Sequence, residues 1–546
     1  MNSRFLRLVV AYFSGSALVC WPFLPWSHVG EESASGDARL IAWTLAWHAR
    51  WPVTGDGPLD APFFRPEPRG LAHSEPLLGL GLLAAPVTAL AGPYVALDVL
   101  RLLIPVINAL AMASFVYRVT RDRWASAVAG TVFGFTYAQM GNVYVGLVHL
   151  ALVAALPLSA QALDRWWTRQ RPGDLAAAVA WAGAQALVAW YAAVIALVAI
   201  VVQLAWLAAT VRVPVAALAR RALALAVAAA IGGTVLWPLA APFLAVPMPA
   251  LDELRRYSLD WRWYVTPPHD TWLGALMTGT AGYGGAWDYR GSYFVGLGSG
   301  IAAFMGIAVA IRGGPGRRLL WGAPLALLGV ALSLGPAPDG AGWRLFDLVS
   351  ALPGIGAFRV PGRMAVLVTF GVAMLAGIAV SAVASRARPW VAGALVSLVA
   401  AESYMWYPPP VDRTSLEAPP VFAAVGRERP ELLLVVPMLG ATLQWPSEAD
   451  YLHFARPTWT PLVNGYGRST SAIYDLLRAR VDAGAGPALV DALRYAGVSH
   501  VLVLARYDPE RSATFVAAAA ALPDLEPVAR HGDDVLYRVR AAAHEP

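Results

Sequence analysis

The chain has 546 residues, of which 58% are hydrophobic and only 14% charged, with a formal net charge of +6. A mean hydropathy of +0.54 excludes an ordinary soluble domain, and the long apolar runs point to a multi-spanning membrane protein. The positive charge is all arginine, and no basic run is interleaved with aromatics, which argues against a nucleic-acid partner.

The 22 tryptophans suit the two interfaces of a bilayer. The single cysteine, Cys20, excludes a disulfide framework and a thiolate metal cluster. At the N-terminus two arginines precede an apolar run with no small-residue cleavage site after it, so a retained span is expected over 5–26. A long loop follows. Within it GDARLIAWTLAWHAR, residues 36–50, predicts an amphipathic helix that begins at Asp37 and presents Leu40, Ile41, Trp43, Leu45 and Trp47. Next comes PFFRPEPRGLAHSEP and then the apolar stretch Pro76–Gly92, interrupted by Pro86. That stretch falls short of the roughly 20 residues a crossing helix needs and reads as juxtamembrane or re-entrant.

With 76–92 not crossing, about eleven spans are expected, at 5–26, 94–116, 124–141, 147–163, 175–190, 192–210, 222–245, 292–311, 318–335, 361–385 and 389–406. The short connections on one side then hold Arg118/Arg121/Arg123, Arg165/Arg169/Arg171, Arg212/Arg220/Arg221, Arg312/Arg317/Arg318 and Arg386/Arg388. The short turns on the other side, near Asn142 and Tyr191, hold no basic residue. This is the positive-inside pattern, and it places the N-terminus inside and the chain's tail outside. Two more outer loops are long: 246–291, with RRYSLDWRWYVTPPHDTW and GGAWDYRGSY, and 335–360, which leads through RVPGR into the next span.

After Tyr407 the composition turns polar. Strands are expected at 431–437, 498–504 and 534–540, and helices near 471–482, 488–496 and 512–521. The predicted architecture is an all-α polytopic membrane bundle over 1–406, its first outer loop (27–93) carrying juxtamembrane helices, and an extracytoplasmic α/β domain over 407–546. No internal repeat is present.

Several polar residues stand out, each with a plainer reading beside the functional one. Asp37 is a candidate carboxylate, yet Gly-Asp before an apolar run is also an ordinary helix start. His73 and Glu75 precede an apolar helix, where a glutamate simply favours the N-terminus. His149 sits near the outer end of a span, as a core histidine or a site residue. Asp98 and Arg101, three apart inside a span, should pair or face a cavity, because a charge at mid-membrane costs about 2.5–3.5 kcal/mol on insertion scales. Tyr264 and His269 lie in a Trp-rich loop that reads as interfacial or as a substrate contact. Arg359 and Arg363 are four apart at the mouth of a span. They would share a helix face, although Pro361 favours a helix start there. They read as headgroup anchors or as a bidentate phosphate grip.

Five stretches, GDARLIAWTLAW, PFFRPEPRGLAHSEPLLG, VHLALVAALPLSAQALDRWW, WRWYVTPPHDTWLG and LPGIGAFRVPGR, resemble GT-C-type membrane glycosyltransferases. More closely, they are similar to bacterial multi-span proteins of the RgtA/YfhO-like group. The tail's VNGYGR and GVSHVLVLARYD share that resemblance.

The resemblance implies a polyprenyl-phosphate-linked sugar as donor and an envelope glycan, lipid or protein as acceptor. The expected setting is the outer face of a bacterial inner (cytoplasmic) membrane, with membrane lipids as further partners. It makes Asp37 the catalytic base and points to Asn142 and His149 in the second outer turn. Glu75, His73, Tyr264, His269, Arg359 and Arg363 complete the substrate-binding candidates. The chain departs from the family's paired acidic motif: it has GDA, with Glu31 and Glu32 upstream. No cofactor is therefore certain, and a divalent metal is left open.

The competing reading is a non-catalytic transporter or scaffold for envelope polysaccharide or lipid-linked sugar. A transporter should show inverted repeats and mid-membrane polar residues in both halves. Neither is visible in the sequence, and the polar candidates gather in outer loops.

Overall fold

The computed structural model describes residues 3–21, 36–211, 213–244, 250–278, 293–313, 316–339, 342–352, 358–406, 417–440 and 444–541. Glu31, Glu32, Arg212 and most of GGAWDYRGSY lie outside these residues. The chain divides into two compact units, one of residues 1–30 with 97–411 and the other of 31–96 with 412–546.

The first unit is helical. Its pillar is the 3-10 turn Pro361–Met364 continued by the helix Ala365–Ala382, which is buried on all sides. A helix apolar all round belongs inside a bundle or a membrane. This one is surrounded by the helices Arg123–Phe135, Leu297–Ile311 and Gly322–Ser333. Gly306 of Leu297–Ile311 makes the closest of these approaches, since a Cβ there would stand 2.0 Å from the Leu375 carbonyl oxygen.

The helix Val215–Leu244 is equally apolar, yet its most apolar window is not buried at all. Its surface suits lipid rather than water. Among the described residues four helices are long and apolar enough to cross a membrane: Pro93–Thr120, Trp190–Thr210, Val215–Phe243 and Pro361–Ala382. Leu6–Val19, Leu78–Ala91 and Leu297–Ile311 are apolar but shorter.

Two of the spans expected as single helices are broken. Thr136 is extended (φ −65°, ψ 153°) between Arg123–Phe135 and Tyr137–Tyr144. Gly146 at φ +80° and extended Leu152 flank the short helix Val148–Ala151. An extended residue cannot carry the i to i−4 ladder onward.

Inside this unit Arg101 pairs with Asp98 at 2.8 Å, both buried, as their spacing requires. Arg118 pairs with Asp164 at 2.8 Å, Arg388 with Asp122, and Gly316 lies against Thr120. The arginine-bearing turns 118–123, 164–171, 316–318 and 386–388 are therefore neighbours at one end of the unit.

The second unit is built on a four-stranded sheet of order β1-β2-β4-β3, with β1 Leu433–Val436, β2 His500–Val503, β3 Leu525–His531 and β4 Asp534–Val539. β1 and β2 are parallel, and the pairs β2/β4 and β3/β4 are antiparallel. β1 and β2 are buried throughout, as expected of strands covered on both faces. Beyond the three expected strands there is β3, an edge strand whose LEPVARH text carries a proline and charges. Those are residues that edges tolerate and that hide the strand pattern.

The segment 31–96, which the sequence groups with the membrane bundle, belongs to this second unit. The helix Gly36–Thr54 is not half-solvated as an amphipathic helix would be. Residues Ala38 to His48 are all buried, with the helices Leu78–Ala91 and Glu448–Ala455 packed against it. Trp43 meets Phe63 and Trp459 at centroid distances of 5.3 and 5.4 Å. Backbone bonds from Phe64 N–H to the Asn464 carbonyl, Arg65 N–H to Leu462 and Leu462 N–H to Pro62 (3.2, 2.9 and 3.0 Å) stitch the loop to the tail.

Candidate active site

Candidate residues occur in both units, and each group is complete only within its own. In the second unit Asp37 stands in the first turn of the helix Gly36–Thr54. Gly36 before it is required by a close approach, since a Cβ there would lie 2.4 Å from the Pro446 carbonyl oxygen. Asp37 is half-buried, and its Oδ1 accepts a hydrogen bond from the Tyr466 hydroxyl at 2.5 Å. Among the described residues no other side chain bonds this carboxylate, so Oδ2 is left to take a proton.

Tyr466 is the candidate residue that reading along the chain misses. It belongs to VNGYGR, and the structure gives most of that motif a task. Asn464 bonds both backbone groups of Val435 (2.7 and 2.9 Å), acting as an extra rung beside β1. Gly465 and Gly467 let the loop close on the first-loop segment: a Cβ would fall 2.8 Å from the Phe64 ring and 2.1 Å from the His73 carbonyl oxygen. Arg468 N–H donates to that same carbonyl at 2.8 Å. The repeated glycines of the motif are the signal that could have marked it.

His73 is half-buried. Its Nδ1 meets Ser469 Oγ at 3.1 Å, and its Nε2 lies 3.6 Å from Glu67. Burial pushes its pKa down, with Glu67 opposing. Glu75 is half-buried in the extended stretch before the helix Leu78–Ala91. His48 is a wholly structural histidine: its ring bridges the Pro76 carbonyl (2.5 Å) and Trp51 Nε1 (3.0 Å), and burial pushes its pKa down to about 4.

Glu448 is the other carboxylate of consequence. It is fully buried and accepts from Leu439 N–H, the Tyr474 hydroxyl, Gly465 N–H and Asn464 Nδ2. Burial pushes its pKa up to about 7 against the pull of those donors.

In the helical unit Arg363 and Asn142 share a narrow cavity with Tyr191, Tyr293 and Thr369. The Arg363 guanidinium lies 4.1 Å over the Tyr191 ring, a favourable contact of a cation with an aromatic face. His149 is buried, is acted on electrostatically by Arg363, and has no hydrogen-bond partner for either ring nitrogen among the described residues.

Arg359 does not share a face with Arg363. It precedes the 3-10 turn that Pro361 opens, pairs with Glu253 at 2.6 Å and stacks toward Tyr257. Tyr264 is buried with its hydroxyl 2.6 Å from Ser333 Oγ, and burial pushes its pKa up. His269 is exposed. Its neighbour Asp270, which the sequence did not single out, is buried and accepts from the Tyr137 hydroxyl at 2.6 Å. An open cleft in the same unit is lined by Arg255, Arg256, Arg262 and Arg344. Asp339 and Asp260 pair with Arg255 and Arg262 at 2.6 and 2.7 Å.

Among the described residues no three His, Cys, Asp or Glu side chains gather to hold a metal ion.

No family model and no curated protein matches the chain. Solved structures do. The arabinofuranosyltransferase AftD from Mycobacteria aligns over 98% of this chain and 40% of its own length, with a TM-score of 0.59 at 15% identity. This chain thus spans two fifths of that enzyme. ArnT from Cupriavidus metallidurans, solved bound to undecaprenyl phosphate, aligns over 98% of both chains at TM-score 0.51 and 15% identity. The apo oligosaccharyltransferase of Archaeoglobus fulgidus aligns over 94% of this chain and 71% of its own, at TM-score 0.51 and 13% identity. The chain has the fold of the GT-C-type membrane glycosyltransferases.

Proposed function

We propose that the protein is an integral-membrane glycosyltransferase that moves a sugar from a polyprenyl-phosphate donor to a hydroxyl of an envelope glycan, lipid or protein. The observation that carries this reading is the bond from the Tyr466 hydroxyl to Asp37 Oδ1. A phenol that donates to one carboxylate oxygen fixes the plane of the group and leaves the other oxygen as proton acceptor, the geometry a general base needs. The fold supports the reaction class. ArnT, solved with undecaprenyl phosphate, supports the class of donor.

In the step proposed, the acceptor oxygen attacks the anomeric carbon with inversion. Its proton passes to Asp37, and the carbon–oxygen bond to phosphate breaks, its electron pair leaving with the polyprenyl phosphate. The departing phosphate gathers negative charge, and a preorganised cation stabilises it. In the helical unit Arg363, which shares a narrow cavity with Asn142, is proposed as a substrate-binding residue. His149 and Asn142 are proposed substrate contacts beside it.

The proposed topology is eleven spans in a bacterial inner membrane, the N-terminus cytoplasmic and the C-terminal domain extracytoplasmic. Four arginine-bearing turns gathered at one end of the helical unit support that orientation.

The test is Asp37→Asn in membrane vesicles supplied with a panel of radiolabelled polyprenyl-phosphate sugars. The expected result is a loss of transfer of about a hundredfold or more with unchanged membrane insertion. Full transfer by the variant would overturn the assignment of the base.

A further inference from the structure

Two segments must meet for the Tyr466–Asp37 bond to form, and one short helix holds them both. The helix Glu448–Ala455 reaches the segment of Asp37 from one side and the loop of Tyr466 from the other. Toward the first, Asp450 Oδ1 accepts from Arg39 Nη1 at 2.5 Å, two residues along the chain from Asp37, while Asp450 Oδ2 accepts from the Tyr507 hydroxyl at 2.7 Å. Just before the helix, the Pro446 carbonyl abuts Gly36, the residue preceding Asp37. Toward the second, Glu448 Oε2 faces the Gly465 N–H at 3.4 Å and Asn464 Nδ2 at 3.5 Å, one and two residues before Tyr466. Its Oε1 is anchored on Leu439 N–H and the Tyr474 hydroxyl, so it is fixed to the end of β1 and to the helix Ala472–Asp482. All these groups lie within one compact unit.

We propose that Glu448 is a positioning residue for the reaction. Its buried carboxylate sets the 464–468 loop so that the Tyr466 hydroxyl reaches Asp37, and Asp450 sets the helix that carries Asp37 through Arg39. Glu448 touches neither Asp37 nor substrate. A carboxylate buried this completely is costly to desolvate, and β1 and the loop could have packed around an apolar residue instead. Its four donors come from three separate segments, which makes it a hub rather than a local cap. The proposal rests on Asp37 being the base, so its test has one arm that reads geometry without activity.

In the first arm, kcat/KM for sugar transfer is measured on the full chain in membrane vesicles for Glu448→Gln, Tyr466→Phe and the double variant, using whichever polyprenyl-phosphate sugar the wild type turns over. Each single change is expected to lower kcat by about tenfold, with KM nearly unchanged. In the Tyr466→Phe background Glu448→Gln should cost less than twofold, because the interaction it served is already gone. Glu448→Asp, which keeps the carboxylate, should recover part of the loss. Equal and independent losses in the two backgrounds would overturn the proposal, since a purely structural glutamate lowers both alike.

In the second arm, 3-fluorotyrosine at position 466 is read by fluorine NMR on the detergent-solubilised full chain. The resonance should move in Glu448→Gln and in Asp37→Asn, and in Glu448→Asp it should lie between the wild-type and Glu448→Gln positions. A resonance unmoved by Glu448→Gln overturns the proposal whatever the activity. A resonance that moves in a wild-type chain inactive toward every donor leaves the positioning standing and removes the reading of function.

Discussion

Asp37 and Glu448 are carboxylates of the same compact unit, and their surroundings give them opposite work. Asp37 is half-buried with one phenol on one oxygen. Glu448 is fully buried, and desolvation raises its pKa to about 7 from an ordinary 4.5, against donors that pull it down. Tyr474 and Tyr451 are the titratable neighbours that face it.

The linkage has a definite sign. The folded state holds this proton more tightly than the unfolded chain, so the group's contribution to stability is fully present below about pH 4.5 and is lost as pH rises through about 7. A shift of this size corresponds to something on the order of 3 kcal/mol across that window. Thermal unfolding of the detergent-solubilised chain should therefore show stability falling between pH 5 and pH 8, and Glu448→Gln should flatten that fall. An unchanged slope in the variant would assign the pH dependence to other groups. Asp37 was legible in the sequence because a Gly-Asp start before an apolar helix is local. Tyr466 was not, because its partner lies 429 residues away and no pattern along the chain joins them.

At the scale of elements, the helix Gly36–Thr54 shows where periodicity misleads. Its tryptophans and leucines suggest one apolar face on a membrane surface, but from Ala38 to His48 the other face is covered too, including Arg39 and His48. Arg39 can be buried because Asp450 meets it, the two side chains being 8% and 10% exposed. Removing one member of such a pair strands the other in a dry site, at a cost of roughly 3–5 kcal/mol. Arg39→Leu is accordingly expected to lower the denaturant midpoint of the full chain markedly, and adding Asp450→Leu should restore most of the loss. If Arg39→Leu alone is neutral, the pair does not hold the helix. The helix breaks at Thr136 and Leu152 were likewise unreadable as breaks. Their residues are apolar enough to continue a span, and the interruption is a backbone conformation rather than a change of composition.

Over the whole molecule, the arginines carry the orientation. The ion pairs Arg118–Asp164 and Arg388–Asp122 bring together turns that are far apart in sequence, as a single cytoplasmic surface would require. The proposed topology is open to direct labelling, because the only cysteine, Cys20, is buried. In a Cys20→Ser background, Ala513→Cys on an exposed helix position of the second unit should react with an impermeant maleimide added outside spheroplasts. Reaction only after the membrane is permeabilised would reverse the orientation.

The sequence by itself determined the class of molecule. Composition requires a membrane, arginine placement orders the turns, and the short apolar runs after Glu431 name β1, β2 and β4 in advance. These signals are local and additive, so they survive being read in one dimension. Only the tertiary structure decided which segments belong together. It took the first loop out of the membrane bundle and closed it on the tail, separated Arg359 from Arg363 through the turn that Pro361 opens, and supplied Asp37 with Tyr466. Each of these depends on contacts between residues distant in the chain, where close approach at glycines and compensation of buried charge decide the outcome. Asp37 begins as a helix start that any surface could offer. The hydroxyl folded onto it, with Glu448 beneath that loop, is a contact that no reading along the chain supplies.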